Sequence, residues 1–141
     1  MSTISDADTA PNYFASLRHE EFMVLTTFRA SGEPVPTTVW FAETDGRIYI
    51  TTLVNLKKVG RIQKNPKVQV IPSDRIGNTH GMLLEAQARV LEPTEFPRAQ
   101  FALQEKYGEP YVILTGQMDT QYPPDSRTFI EITPPTSHVS M

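Results

Sequence analysis

The chain has 141 residues and carries 13 Lys and Arg against 16 Asp and Glu, a formal net charge of −3. We therefore expect a single domain without general affinity for nucleic acid, and the absence of cysteine excludes disulfide bonds and thiolate metal sites. The acidic N-terminus lacks a signal-peptide pattern and no apolar run approaches ~18 residues, which favours a cytoplasmic protein that makes no membrane contact.

Three antiparallel strands are predicted in the first part of the chain, after a short helix over residues 11–21. Runs of β-branched and aromatic residues place these strands at 22–29, 34–42 and 47–52. The pairs Ser31-Gly32 and Asp45-Gly46 are typical of the turns that connect such strands.

The second of these strands has apolar residues on both faces. Successive side chains of a strand point to opposite sides of the sheet. One side carries Val35, Thr37, Val39 and Phe41, and the other carries Pro36, Thr38 and Trp40. This pattern indicates a barrel wall that also meets a partner.

Three further strands complete a predicted six-stranded antiparallel β-barrel, mainly β with flanking helices. They lie at 66–73, 81–92 and 127–133. The fifth strand shows the alternation of one buried and one solvated face, and the sixth has a similar inward-facing set. The predicted inward residues are Met82, Leu84, Ala86, Ala88 and Val90 in the fifth strand, and Thr128, Ile130 and Ile132 in the sixth.

The second half also contains a predicted helix over 94–107, which begins at a Thr94 cap and ends at Gly108. Its apolar side carries Phe96, Ala99, Leu103 and Tyr107. We interpret residues 108–126 as a loop, and we expect a disordered tail at 134–141. The sequence thus predicts a single domain over residues 1–141, with a barrel core at 22–93.

A basic helix is predicted between the third and fourth strands, in the stretch "NLKKVGRIQKNP". About ten residues long, it has Asn55 as its N-cap and Asn65-Pro66 as its stop. Leu56, Val59 and Ile62 lie on one side, and Lys57, Lys58, Arg61 and Lys64 lie on the other. Residues 47–73 contain six basic residues and no acidic one, so nothing nearby in the sequence cancels this charge.

Such a basic face is often simply solvated. Here the helix N-terminus and the preceding hydroxyls of Thr51 and Thr52 favour an anion, and Lys58 and Arg61 are spaced to hold one phosphate. Both interpretations remain open on these grounds, and we favour the phosphate or other anion site.

The order of these motifs resembles the flavin-binding split β-barrels of the pyridoxamine 5'-phosphate oxidase type, in particular a mycobacterial-type branch that uses coenzyme F420. The resemblance covers about residues 22–93. It is carried by "VLTTFRASGEPVPTTVWF", "DGRIYITT", "KVGRIQKNPKVQV" and "EAQARVLEP".

This resemblance implies a homodimer that holds FMN or F420 at the interface between its barrels. The ring of the cofactor would lie against Val35, Pro36, Thr37, Thr38 and Trp40. Thr51 and Thr52 would contact the ribityl or phosphate portion, and the basic residues Lys57, Lys58 and Arg61 would contact or approach the phosphate. Gln87 is a further candidate on the fifth strand.

No catalytic side chain is assigned, because the cofactor of such proteins carries the hydride. His19, His80 and His138 show no metal-ligand spacing, so we predict no metal site. Trp40 is either a core residue or a ring contact, and "DRIGNTHG" is predicted to be a loop on the substrate side. The carboxylates predicted to be solvated are Glu20, Glu21, Glu85 and Glu131.

Three functions are compatible with these residues. The first is a flavin- or deazaflavin-dependent oxidoreductase acting on a small organic substrate. The second is a non-catalytic protein that binds or carries the same cofactor, since no acid and base pair is evident. The third is binding of single-stranded nucleic acid by the segment 57–67 together with Trp40 and Tyr49. The negative net charge and the small number of aromatic residues disfavour it.

Overall fold

A single antiparallel sheet of seven strands dominates the computed structural model, which describes residues 12–135. In chain order the strands are β1 (Phe22–Phe28), β2 (Pro34–Trp40), β3 (Ala42–Thr44), β4 (Arg47–Leu53), β5 (Lys67–Ser73), β6 (Leu84–Val90) and β7 (Arg127–Thr133). The α-helices are α1 (Lys57–Lys64), α2 (Phe96–Tyr107) and α3 (Glu109–Gln121). Short 3-10 turns lie at Ala15–Leu17 and Pro93–Glu95.

The order of the strands forces the sheet to curl. Across the sheet the order is β2-β1-β5-β6-β7-β4-β3, so β2 and β3 are its two edges. These edge strands are separated in the chain by one residue, Phe41, which can span only a few ångströms. The edges therefore meet at this point, and the sheet forms a split barrel. The predicted mainly β split barrel with flanking helices is confirmed.

The predicted count of six strands was one too low. The predicted second strand, 34–42, breaks at Phe41, whose side chain is fully buried. The N–H of Phe41 donates to the hydroxyl oxygen of Tyr107 at 2.8 Å, and its carbonyl oxygen lies 2.7 Å from the same hydroxyl. Bonded to a side chain, Phe41 leaves the strand ladder, and the chain passes from one edge of the sheet to the other.

The barrel interior is apolar and is closed at one end by α1. Val59 and Ile62 of α1 are buried in it. The predicted apolar partner Leu56 is instead 43% exposed and forms the N-cap in an extended conformation. The helix thus begins after Leu56, not at an Asn55 cap, and it has eight residues. The strands contribute Met23, Leu25, Ile48, Ile50, Val68, Val70, Ala86, Ala88, Ile130 and Ile132.

The helices α2 and α3 cover the outer face of β4 and β7 with a second apolar cluster, in which Ala99, Leu103 and Tyr111 pack against Tyr49 and Phe129. The predicted helix at 94–107 is confirmed, including its end at Gly108, where φ is +66°. Its start differs. Glu92 and Glu95, and not Thr94, form the capping box of the 3-10 turn that precedes α2.

Two segments differ from the sequence prediction. Residues 109–121, predicted to be a loop, form α3, and between residues 13 and 21 the predicted N-terminal helix is reduced to the 3-10 turn Ala15–Leu17. Met82 was expected to point inward, but β6 begins at Leu84 and Met82 is 64% exposed. Much of the predicted tail, from residue 136 on, lies outside the described residues. None of the helices within residues 12–135 has the length and apolar character that crossing a membrane requires.

Candidate functional site

The basic helix α1 carries two half-buried cations. Arg61 Nε donates to the hydroxyl oxygen of Thr27 at 2.7 Å, and Thr27 is itself buried on β1. Lys58, three residues earlier, lies beside Arg61. Burial lowers the pKa of Lys58 below its ordinary value, and the charge of Arg61 lowers it further. Val35 pairs with Thr27 across the sheet, so this part of β2 lies next to the anchor of Arg61.

The predicted basic stripe divides into an inner and an outer pair. Lys57 and Lys64 are exposed, whereas Lys58 and Arg61 are half-buried. No carboxylate among residues 12–135 forms an ion pair with Lys58 or Arg61. A half-buried ammonium beside a guanidinium, both without a carboxylate partner, favours an anion such as a phosphate.

A cleft of about 440 Å³ lies between the outer face of β2 and the helix α3. Thr38 and Trp40 form its wall on β2, and Thr51 contributes from β4. Leu114 and Met118 of α3 line the opposite wall. The volume lies within the range of small-ligand sites, and an apolar lining with a few hydroxyls is typical of them.

Trp40 has a fixed orientation in this cleft. Its ring stacks on Tyr107 with centroids 4.5 Å apart and planes inclined by 10°. The ring of Phe22 lies on another side at 6.5 Å. Trp40 therefore packs against the second apolar cluster and also forms a wall of the cleft. From the sequence, a core residue and a ring contact were alternatives, and the position of Trp40 is compatible with both.

The structure separates several residues that were predicted to act together. Thr51 lies in the cleft, where its hydroxyl donates to the carbonyl of Thr128 at 3.1 Å. Thr52 points to the other side of the sheet and is buried. Neither Lys58 nor Arg61 lines the cleft.

The remaining predicted contacts lie elsewhere on the sheet. On β2, Val35 and Thr37 share the inner face, and Pro36 is exposed. On β6, Gln87 is half-buried and pairs with Lys67.

A larger cavity, about 1030 Å³, lies between the β3–β4 hairpin and α2, and no sequence pattern predicted it. Lys106 lines it. The ammonium of Lys106 lies 3.7 Å from the ring centroid of Phe41 and donates to the carbonyl of Glu20 at 2.5 Å. Burial lowers the pKa of Lys106 to about 8, against the raising effect of Glu21, Glu20 and Glu43.

Glu131 was predicted to be solvated, and this prediction is wrong. It is 3% exposed and accepts a hydrogen bond from the hydroxyl of Tyr49 at 3.0 Å. Arg89, Arg98 and Arg47 contact it at 3.1, 3.1 and 3.4 Å. Burial alone would raise the pKa of Glu131, but the bond from Tyr49 and the three arginines outweigh it, and the pKa lies below its ordinary value.

His80 is paired with a carboxylate. His80 Nε2 lies 2.9 Å from a carboxylate oxygen of Glu20, so Glu20 is also paired. Between residues 12 and 135 no group of three His, Cys, Asp or Glu side chains could hold a metal ion. His138 lies outside the described residues. Residues 74–81, predicted to be a loop, do form one.

Comparison with known proteins adds a family match and several structural relatives. The family model described as pyridoxamine 5'-phosphate oxidase matches residues 9–139. No curated protein sequence matches the chain significantly. A protein of Listeria innocua named for pyridoxamine 5'-phosphate oxidase has a TM-score of 0.61 at 17% identity, over 87% of this chain and 90% of its own.

Two further structures extend the comparison. A conserved hypothetical protein of Mycobacterium tuberculosis has a TM-score of 0.60 at 22% identity, over 95% of this chain and 81% of its own. The heme storage protein HutZ of Vibrio cholerae has a TM-score of 0.65 at 15% identity, over 89% of this chain and 90% of its own. At these identities the likeness shows a shared fold.

Proposed function

Because the chain belongs to the pyridoxamine 5'-phosphate oxidase family, we propose that it binds FMN or coenzyme F420 and acts as an oxidoreductase on a small organic substrate. The observation that carries this proposal is the half-buried pair Lys58 and Arg61, which has no carboxylate partner among the described residues. In both cofactors a ribityl chain joins a phosphate to a planar ring system. The donor set therefore fits the phosphate, and the wall formed by Trp40 and Thr38 fits a ring.

The positions of these residues suggest a role for each of them in cofactor binding. Lys58 and Arg61 bind the phosphate, and Arg61 is oriented for this task by its bond to Thr27. Trp40, fixed by Tyr107, supplies a flat apolar surface, and Thr38 and Thr51 supply hydroxyls. The bound cofactor supplies the hydride chemistry, so the chain needs no side-chain nucleophile.

We also propose that the active form is a homodimer with the cofactor between its barrels. Support comes from α3, where Val112, Ile113 and Leu114 form a run of exposed apolar residues beside the cleft. A single chain exposes this apolar surface to water, which is unfavourable in free energy. Burial against a second copy of the chain would remove that exposure. A cytoplasmic location stays a prediction.

A non-catalytic carrier of the same cofactor is the second candidate. The observation that favours it is the cleft itself, because no Asp, Glu, His or Lys is among its lining residues. The phenol that lines it, Tyr111, donates to Gln100 at 2.7 Å, and burial raises its pKa. The cleft therefore lacks the common acid and base side chains that move a proton at a substrate. The carrier and the oxidoreductase differ in turnover and not in binding.

The deciding experiment is a titration of the cofactor-free protein with FMN, F420 and hemin in parallel, with the oligomeric state measured in the same buffer. We expect one of the two flavin-type cofactors to bind to a dimer in the submicromolar range, roughly 8 kcal/mol or more. Sustained reduction of an electron acceptor would then exclude the carrier. Tight binding of hemin with neither flavin nor F420 would overturn the proposal in favour of a heme protein like HutZ.

A further inference from the structure

The loop between β5 and β6 brings one charged residue to the cleft beside Trp40. Among the side chains that line this cleft, Arg75 is the one that carries a charge. The remaining lining residues are apolar, aromatic or hydroxyl-bearing. A single guanidinium beside an apolar cleft favours a ligand with a negative charge, and it also fixes the orientation of that ligand.

Arg75 has no carboxylate partner within the described chain. Its neighbour Asp74 is turned to the loop backbone, where Oδ1 accepts from the N–H groups of Ile76 and Asn78 at 3.0 and 2.9 Å. The other oxygen, Oδ2, accepts from the side-chain amide of Asn78 at 2.9 Å. Both carboxylate oxygens of the nearest acid in the sequence are thus hydrogen-bonded within the turn, and among the described residues no ion pair joins Asp74 to Arg75. The guanidinium can therefore bind a ligand.

The loop approaches β2 closely at Gly77. Gly77 has φ +93°, and a Cβ atom built on it would lie 2.9 Å from the hydroxyl oxygen of Thr38. At this positive φ a side chain would be strained, and its Cβ would also displace the hydroxyl of Thr38, so glycine favours the close approach. The isolated bridge between Ser73 and Thr79 and the bond from His80 N–H to the carbonyl of Pro72 close the base of the loop. The backbone that carries Arg75 is thus positioned by the wall of the cleft.

From this arrangement we infer that the cleft accepts an organic acid, with its carboxylate on Arg75 and its apolar body along Leu114 and Met118 of α3, next to the cofactor ring proposed to lie on Trp40. The inference deepens the proposed function, on which it rests, by naming the substrate class. A carboxylate matches the planar fork of a guanidinium in two parallel hydrogen bonds. A neutral molecule of the same shape would fill the apolar part and leave the guanidinium without its partner.

The chain contains its own reporter for this test. Trp40 is the single tryptophan of the sequence and lines the cleft. A naphthalene ring placed beside it will quench its fluorescence. We would therefore titrate the cofactor-free protein with 2-naphthoate and with the neutral 2-naphthamide, which has nearly the same shape.

The matched variants are Arg75→Gln and, as a control, Arg29→Gln. Arg29 is also exposed but lies in the β1–β2 turn, where it pairs with Glu33. We expect naphthoate to bind the unmodified protein about tenfold tighter than naphthamide. Arg75→Gln should reduce the affinity for naphthoate about tenfold and leave that for naphthamide unchanged, whereas Arg29→Gln should alter neither.

Several results would overturn the inference. Equal affinity of the unmodified protein for both probes, an unchanged affinity of the Arg75→Gln variant for naphthoate, or no quenching by either probe would each do so. Because the measurement contains no FMN or F420, it is independent of cofactor affinity. A preference for naphthoate that depends on Arg75, in a protein that binds neither cofactor, would keep the acid site and refute the proposed cofactor.

Discussion

Tyr107 stacks on Trp40, and its hydroxyl bonds the backbone of the next residue, Phe41. The same side chain thus orients the wall of the cleft and fixes the junction between the two edges of the sheet. The hydroxyl accepts from the N–H of Phe41 and lies 2.7 Å from the carbonyl oxygens of both Phe41 and Glu21. Burial raises the pKa of Tyr107 well above its ordinary value, so the hydroxyl remains protonated and can donate.

Replacing Tyr107 by Phe should destabilise the protein while preserving the stacked ring. The substitution leaves the buried N–H of Phe41 without its acceptor, a loss of about 1–3 kcal/mol. Urea denaturation would measure the free energy of unfolding. The control is Tyr122→Phe, since Tyr122 is exposed and should change little. Equal stability of the two variants would show that the hydroxyl of Tyr107 is dispensable at the junction.

Lys58→Met should weaken the binding of FMN or F420 by about tenfold or more, because it would remove the charge-assisted bond to the phosphate that we propose for this residue. Lys57→Met is the matched control, since Lys57 is exposed on the same helix. Arg61 is a poorer target, because its loss would also leave the buried hydroxyl of Thr27 without its partner. Equal effects of the two lysine changes would refute a specific phosphate contact at Lys58.

Glu131→Gln should cost about 2–3 kcal/mol of stability, because three half-exposed arginines lose the charge that they share. The folded-state pKa of Glu131 lies below 4.5, so its contribution is complete above that pH and is lost as the pH falls through the folded value. Urea denaturation at neutral and acidic pH would measure both effects. Glu33→Gln, which breaks an exposed pair with Arg29, should cost no more than about 0.5 kcal/mol.

Stability should depend on Lys106 between pH 8 and pH 10.5. Its pKa is lowered from 10.5 to about 8, so in this range the unfolded chain binds more protons than the folded one and stability rises with pH. Lys106→Met should lack this rise, whereas Lys64→Met, at an exposed position, should retain it. The measurement is the free energy of unfolding at about pH 7, 8, 9 and 10, and parallel curves for all three proteins would contradict the assignment.

The strands and turns were predictable because their signals are local. Asp45 and Gly46 adopt positive φ values of 53° and 78° in the β3–β4 hairpin, as such a turn pair requires. The alternation in "RTFIEIT" placed Thr128, Ile130 and Ile132 inward, and all three are buried. For a sheet whose inner face is apolar, the period of two is sufficient evidence of which side chains face the core.

The sequence-based predictions were wrong where contacts between residues distant in sequence determine the structure. Helix α3 was missed because its apolar residues Val112, Ile113 and Leu114 are adjacent and exposed rather than spaced one turn apart. Glu131 lies opposite the inward set, and alternation alone predicts that it is solvated. Helix α2 covers that face and carries Arg98 to it. The position of Arg75 in the cleft likewise depends on the approach of the loop to Thr38, which no local pattern encodes.

The place of β7 in the sheet has a consequence for synthesis on the ribosome. β7 follows the other six strands in the chain, yet it lies between β6 and β4. Until residues 127–133 have emerged, the nascent chain has no strand to join the group β2-β1-β5-β6 to the hairpin β3-β4. The two groups then expose unpaired edges, which are prone to aggregation. Completion of the barrel is therefore a late event, and chaperones that shield open strand edges should associate with this chain before β7 is made.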